Sequence, residues 1–265
     1  MIDLQQTLAF TTALAKDAGA LVRNMREQGQ LQDQYKAQHE LVTNADLAAD
    51  KFIIEAIQAK FPEHQIMSEE TFNDRSQTLD LKAPIWIIDP IDGTVNYAHG
   101  QMMVGVSIAL AFDGEVQLGV VYNPFMDECF SATTETAATL NGQSISPSGE
   151  TVLRKAVIAT GFPYDKSGVP PIMRRLEKML MHCQDVRRLG SAALDICWVA
   201  CGRLDGYFES LSPWDFAAAR LIALRAGARC GHFNGNPSEL PDCIYNHDLL
   251  ISTPEIYKDM DALLS

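Results

Sequence analysis

Residues 86–100 read WIIDPIDGTVNYAHG, and their reading decides what the rest of the chain is for. The stretch is entered through Ile85 to Ile88, a short apolar run of the kind that forms a buried strand. It then breaks into Asp89-Pro90-Ile91-Asp92-Gly93-Thr94. Pro90 and Gly93 favour a tight turn around the two acids. Such a turn aims both carboxylates, and the backbone carbonyls between them, at one point. Hard divalent cations such as Mg²⁺ take all-oxygen donor sets of this type. The same residues suit equally a turn whose acids are simply solvated, because Asp-Pro and Asp-Gly are ordinary turn dipeptides.

The chain has 265 residues, enough for one large domain or two intimate subdomains. A chain of this size buries roughly three quarters of the surface it exposes when unfolded. At 47% hydrophobic and 21% charged residues it falls in the soluble globular class. Its formal net charge is -13, which repels phosphate backbones and anionic membranes and argues against direct nucleic-acid or membrane binding. An anionic substrate would then need a local positive charge, and a bound metal would supply one. The six cysteines include no CxxC pair, so zinc and thioredoxin-type sites are not expected. Cys197 and Cys201 fall in an apolar helical pattern, as small core side chains do. Scattered free thiols fit a reducing cytoplasm. No signal peptide is expected in residues 1–25, and no apolar run is long enough to span a membrane.

Leu4, Leu8, Ala15, Ala18, Leu21, Val22 and Met25 recur at helical spacing, predicting a long amphipathic helix over residues 3–27. Residues 35–42 suit a short strand. Thr43, with Asp46 three residues on, opens a second helix like a capping box; Phe52, Ile53 and Ile57 form its apolar stripe. A strand at His64–Met67 delivers Ser68-Glu69-Glu70 and a polar loop to Lys82. Strands are expected at Met103–Phe112, Val116–Tyr122 and Glu128–Ala132, with a hairpin turn at Asp113-Gly114 and another turn at Asn141-Gly142. A soft boundary near residues 143–155 divides an N-terminal α+β subdomain, 1–150, from a C-terminal α/β subdomain, 151–265, within one compact domain.

The second half alternates: strand Ala156–Thr160, helix Pro171–Cys183, helix Ser191–Ala200, strand Leu204–Phe208 and helix Pro213–Ala226. Strands Arg229–His232 and Tyr245–Ser252, the latter broken by Asn246 to Asp248, and a short terminal helix follow. Residues 163–168 fit either a mobile flap or an ordered loop. Strands mixed with helices throughout give a layered α/β (α+β) domain.

Three further acidic sites accompany the opening stretch. Asp215, in Ser212-Pro213-Trp214-Asp215, has a good structural reading as the third-position acid of a capped helix. Asp46 has the same reading, and Glu69-Glu70 suits a solvated loop edge. The set as a whole points elsewhere. WIIDPIDGTVNYAHG resembles the metal-binding signature of the inositol monophosphatase family, and Pro213–Ala228, PWDFAAARLIALRAGA, resembles its second signature. Ser68-Glu69-Glu70, residues 41–46 (LVTNAD), residues 188–193 (RLGSAA) and residues 204–209 (LDGYFE) resemble further motifs of that family, in order along almost the whole chain.

That resemblance implies alternating layers of helices and sheets, the αβαβα sugar-phosphatase fold. It also implies a homodimer, inhibition by Li⁺, and two or three Mg²⁺ ions per site. Carried over, it makes Glu69, Asp89, Asp92, Asp215 and the Ile91 carbonyl the metal ligands. Thr94, paired with Asp46, would activate the attacking water, and Glu70 would hold a more weakly bound metal's water. Gly93 and Thr94 amides would cradle the phosphate; Gly190, Ser191, Ala192, Glu209 and Asp215 would receive the alcohol. No cysteine, serine or histidine nucleophile is needed, so His99 is read as structural. The implied reaction is hydrolysis of myo-inositol 1-phosphate or a similar polyol phosphate. The alternatives are fructose 1,6-bisphosphate, a 3′,5′-bisphosphonucleotide, or a binding role in ribosomal RNA transcription antitermination through a protein partner. Three departures stand out: Val95 where the family has Thr or Ser, Arg225 where an acid is common, and one residue fewer between Glu209 and Asp215, which displaces Glu209 if uncompensated.

Overall fold

The computed structural model describes residues 2–29, 31–36, 40–72, 79–163 and 166–265. The chain opens with α1 (Leu4–Glu27), the ribbon strands β1 (Asp33–Lys36) and β2 (Glu40–Thr43), and α2 (Asn44–Lys60). Strands β3 (Gln65–Ser68) and β4 (Ile85–Asp92) follow, then a single helical turn, α3 (Thr94–Ala98). A meander comes next: β5 (Gly105–Phe112), β6 (Glu115–Asn123), β7 (Glu128–Thr133), β8 (Thr139–Leu140) and β9 (Gln143–Ser144). The remainder is β10 (Val157–Thr160), α4 (Val169–His182), β11 (Asp185–Arg187), α5 (Ala192–Ala200), β12 (Gly206–Glu209), α6 (Pro213–Ala226), β13 (Arg229–His232), β14 (Leu249–Ser252) and α7 (Tyr257–Leu264).

Two sheets carry the molecule. One has seven strands, in the order β3-β4-β5-β6-β7-β8-β9; the other has five, in the order β11-β10-β12-β14-β13. Period-two alternation in β4 explains the layering. Trp86 and Ile88 pack with Val106, Ile108, Leu110 and the inner faces of α1 and α2 (Leu14, Ala18, Ile53, Ile57). Ile85 and Ile87 face the other way, into a core that takes in α5 and α6. The far side of that core is closed by Ala159, Tyr207 and Ile251 of the second sheet. Ile158, Phe208 and Leu250, from the opposite face of the same strands, pack against Met179 of α4 and Tyr257 and Met260 of α7. The order of layers is therefore α1/α2, seven-stranded sheet, α5/α6, five-stranded sheet, α4/α7, the αβαβα arrangement. Central strands buried on both faces read as continuous apolar runs for this reason.

Several elements differ from their sequence reading. Residues 35–42 are the two ribbon strands β1 and β2, with residues 37–39 between them outside the description. Part of the polar stretch before Lys82, residues 73–78, and residues 164–165 of the 163–168 segment also lie outside it. Phe52 is 39% exposed, whereas Ile53 and Ile57 are fully buried; the helix turns Phe52 off the stripe. The final strand is only the part beyond the expected break at Asn246 to Asp248, Leu249–Ser252, and the fourth helix begins at Val169 rather than Pro171. The largest difference lies in the opening stretch: β4 does not end at Ile88 but continues through Asp92. The Asp113-Gly114 hairpin is present, with φ of 55° and 77° at its two centre residues.

The middle helix layer lies unusually close to the first sheet. A Cβ placed on Gly119 of β6 would sit 2.6 Å from the carbonyl oxygen and 2.9 Å from the Cα of Ala218 in α6. Only glycine admits that approach, and it fixes α6, and with it Asp215, against the sheet. Gly119→Ala is expected to destabilise by about 1–3 kcal/mol through backbone overpacking. A thermal melt equal to that of the unaltered protein would show that the helix is free to move away.

Candidate active site

The carboxyl end of β4 meets the first turns of α3, α5 and α6 and the end of β12. Its pairing with β5 holds from Ile85↔Ala111 to Asp89↔Ser107 and resumes at Asp92↔Gly105, with a register shift between. Within that irregularity Asp89 accepts a hydrogen bond from the Ile91 amide at 2.9 Å. The strand ends at Gly93, φ 95°, where a Cβ would also meet the Met103 carbonyl at 2.8 Å. That left-handed residue turns the chain into α3 and sets Thr94 facing Asp46.

Asp92 is buried and is held by α5. Ser191 Oγ donates to its Oδ2 at 2.6 Å, the Ala193 amide donates to the same oxygen at 2.7 Å, and the Ala192 amide donates to Oδ1 at 3.2 Å. A helix N-terminus is a natural seat for an anion. Asp215, in the first turn of α6, accepts from the Ser212 amide through Oδ2 at 2.9 Å. It is at once a capping acid and a member of the cluster. One carboxylate oxygen each from Asp89, Asp92 and Asp215 lie within 4.8 Å of one another. β3 runs parallel to β4, and the Glu69 amide donates to the Ile88 carbonyl at 3.1 Å, which brings Glu69 beside Asp89. Glu70 follows in the same partly buried turn.

Such a cluster is electrostatically costly by itself. Burial pushes Asp89 well above the ordinary carboxylate range, with Glu69, Asp92 and Asp215 adding repulsion. Asp215 is raised by burial, then by Glu69, Asp92 and Glu209. Asp92 is raised less, to about 6, because the α5 donors favour its anion against burial. An all-oxygen set of converging carboxylates is matched by a hard divalent cation, which offsets both burial and repulsion. The residues fit a bound metal.

Asp46, in the first turn of α2, divides its two oxygens. Oδ2 accepts from the amide and hydroxyl of Thr43 at 2.8 and 2.6 Å, completing the cap, and Oδ1 accepts from Thr94 Oγ1 at 3.0 Å. Thr94 Oγ1 also lies 3.1 Å from the Ile91 carbonyl. Burial raises Asp46 despite these hydrogen bonds.

These groups surround a cavity of about 320 Å³ whose walls include Glu69, Asp89, Ile91, Asp92, Gly93, Thr94, Glu209 and Asp215. A smaller recess of about 90 Å³ adjoins it through Asp92, Gly93, Glu209 and Asp215, and is walled by Gly190, Ser191 and Ala192. Glu209 lines both: Tyr207, fully buried, donates its hydroxyl to Glu209 Oε2, and Gly161 leaves room that any Cβ would fill. Tyr207 was legible in principle, two residues before Glu209 on one strand and so on the same face. Gly161 carried no such signal. His99 is exposed, Val95 is 37% exposed, and Arg225 is exposed with its Nε donating to the Thr136 carbonyl at 2.8 Å. The six cysteines are free, and burial pushes Cys129 up to about 11 and Cys230 to about 12, which disfavours the thiolate at both. Among the described residues no helix is long and apolar enough to cross a membrane.

Five alternating layers with an acid-lined cavity where they meet define the layered sugar-phosphatase class of fold. The model of the inositol monophosphatase family matches residues 3–264, and the chain belongs to that family. The Nus factor SuhB of Pasteurella multocida (strain Pm70) is 35% identical over 250 residues, covering 94% of this chain and 91% of the relative. Inositol monophosphatase 2 of Solanum lycopersicum is 40% identical over 225 residues, 80% of this chain and 82% of the relative. The crystal structure of extragenic suppressor protein suhB from Bartonella henselae superposes with a TM-score of 0.87 at 31% identity, covering 98% of both chains.

The raised carboxylates set the sign of a pH dependence. Asp92 titrates near 6 when folded against 3.8 ordinarily, so across that interval the metal-free folded state holds more protons than the unfolded chain. Stability in EDTA is therefore expected to fall as pH rises through that window, and on upward through the higher values of Asp89 and Asp215. A divalent cation relieves the charged cluster, so Mg²⁺ should raise the melting temperature more at about pH 8 than at about pH 5. A Mg²⁺ shift equal at both pH values would sink this account of the cluster.

Proposed function

We propose that the chain is a Mg²⁺-dependent phosphomonoesterase releasing phosphate from myo-inositol 1-phosphate or a closely similar polyol phosphate. The observation that carries this is the convergence of Asp89, Asp92 and Asp215 within 4.8 Å at the floor of one cavity. Family membership supports the reaction class. Glu69, Asp89, Asp92, Asp215 and the Ile91 carbonyl would hold two or three ions. When bound, they neutralise the phosphate, make a water more acidic and stabilise the leaving alkoxide.

The chain's own residues do the rest. Thr94 Oγ1 gives its proton to the Asp46 hydrogen bond, which leaves its lone pairs to accept from the attacking water. Asp46, raised by burial, is a better proton acceptor than an exposed aspartate. Glu70 positions a second water next to Glu69. The backbone amides of Gly93 and Thr94, at the start of α3, receive the phosphate oxygens. Gly190, Ser191, Ala192 and Glu209 line the recess for the alcohol. Inhibition by Li⁺, a homodimer and cytoplasmic work belong to the same reading. A second reading, a binding role in a transcription complex, is favoured by the relative named Nus factor SuhB and is compatible with catalysis.

A panel of phosphomonoesters assayed with Mg²⁺, with EDTA and with Li⁺ tests the proposal; no turnover of any substrate under Mg²⁺ rejects it. Thr94→Ala is expected to lose about 10²–10⁴-fold in turnover while keeping the Mg²⁺-induced rise in melting temperature. Loss of that rise would assign Thr94 to the metal instead. Asp92→Asn is expected to lose at least about 10²-fold in turnover. It should also lose about 1–3 kcal/mol of stability, because an amide cannot accept from all three α5 donors. An unaltered melting temperature together with unaltered Mg²⁺ dependence would remove Asp92 from both roles.

A further inference from the structure

Among the described residues six aspartates are buried: Asp46, Asp50, Asp89, Asp92, Asp195 and Asp205. Five have hydrogen-bond donors. Asp46 takes Thr43 and Thr94, Asp50 takes the Ser68 hydroxyl, and Asp89 takes the Ile91 amide. Asp92 takes the start of α5, and Asp205 takes Ser148 and the Val157 amide. Asp195 is 2% exposed, and no donor reaches its carboxylate among the described residues; its Oδ1 is enclosed and unpaired.

A structural explanation is available for an acid in the first turn of a helix, and it does not suffice here. The amides that would receive such an acid in α5 are already engaged. Those of Ala192 and Ala193 serve Asp92, and that of Leu194 donates to Ser191 Oγ at 3.4 Å. Burying a carboxylate without a donor costs stability. Burial, Asp92 and Glu209 all oppose its charge, and Arg188 favours it. Asp195 also lines the recess of about 90 Å³ beside the proposed metal cavity, together with Glu209 and Arg188. An enclosed acceptor with nothing to accept from, facing a recess beside a reaction site, awaits a donor from the ligand.

We infer that Asp195 is a substrate ligand: it accepts a hydrogen bond from a hydroxyl of the alcohol held in this recess, alongside Glu209. The inference rests on the phosphomonoesterase reading and narrows it. Two carboxylates receive neutral hydroxyl donors and oppose a second phosphate, and among the described lining residues Arg188 alone offsets them. The substrate class is therefore a polyol monophosphate with at least two free hydroxyls near the ester, rather than a bisphosphate or an aryl phosphate. Discrimination of this kind is strong because a ligand lacking the hydroxyl leaves the buried acceptor unpaired.

The test compares Asp195→Ala and Asp195→Asn with the unaltered enzyme on myo-inositol 1-phosphate and on p-nitrophenyl phosphate, which has no hydroxyl to offer. With the Ala variant, KM for the inositol phosphate is expected to rise about tenfold, as loss of a hydrogen bond that leaves a bound hydroxyl unpaired implies. The Asn variant should show a smaller rise, and kcat/KM for p-nitrophenyl phosphate should not change. Equal losses on both substrates would make Asp195 a structural residue, and no change on either would remove it from the recess. If the unaltered enzyme hydrolyses neither substrate under Mg²⁺, the phosphomonoesterase reading falls and this inference with it. If the unaltered enzyme is active and the ratio is unmoved by substitution, only the inference falls.

Discussion

Asp92 closes the first sheet's contribution to the site and takes its donors from residues 99 to 101 positions further along the chain. The carboxylate belongs to β4, and the hydroxyl and amides belong to the start of α5. Each charge-assisted hydrogen bond contributes about 1.5–3 kcal/mol, against a desolvation cost of several kcal/mol for a buried anion. The pairing is therefore of modest net stability and of large geometric consequence. Breaking it would strand a buried charge on one side and orphan amides on the other. With α5 registered to β4 in this way, and α6 seated against β6 at Gly119, two acids of β4 and one of α6 converge within 4.8 Å.

How far this could be read in advance depended on whether the deciding force was local. Residues 3–27 form the expected helix because their apolar spacing needs no partner to be recognised. The hairpin at Asp113-Gly114 likewise follows from two residues able to adopt positive φ. β4 was harder. Asp-Pro-Ile-Asp-Gly carries turn chemistry, yet pairing of Asp92 with Gly105 and burial on all sides keep those residues extended. Long-range pairing overrode the local preference. Short strands such as β8, β9 and β11 exist only because a neighbour is present, and no sequence pattern of two or three residues declares them. In the site, the acids of the long motifs were legible as a set. Asp195 was not, since an acid in the first turn of a helix looks ordinary until its neighbouring amides are found to be spent.

The two readings of Asp46 and Asp215, capping acid or site residue, turn out not to compete. A carboxylate has two oxygens and about four acceptor positions. Asp46 uses Oδ2 for Thr43 and Oδ1 for Thr94; Asp215 uses Oδ2 for the Ser212 amide, which leaves an oxygen facing the cluster. The cap also locks the side chain for the second job it is proposed to do. A first-turn acid is thus held at a helix terminus, where the chain is rigid and its direction fixed, and this suits it to positioning a ligand. Capping chemistry in the sequence is no argument against function when the helix begins at a cavity.

The net charge of -13 then acquires a local meaning. Glu69, Asp89, Asp92, Asp215 and Glu209 line one cavity, and each raises the cost of ionising its neighbours. A phosphate monoester, carrying roughly two negative charges near neutral pH, would be repelled by these acids in the metal-free protein. The same acids that repel the substrate are those that attract a divalent cation, and occupancy reverses the sign of the field it meets. On the proposed reading the order of events follows from charge alone: cation first, then phosphate. The recess beyond need not be positive at all. On the same reading it would hold the uncharged end of the substrate, where Glu209, raised to about 7 by burial and fixed by Tyr207, is an affordable neighbour.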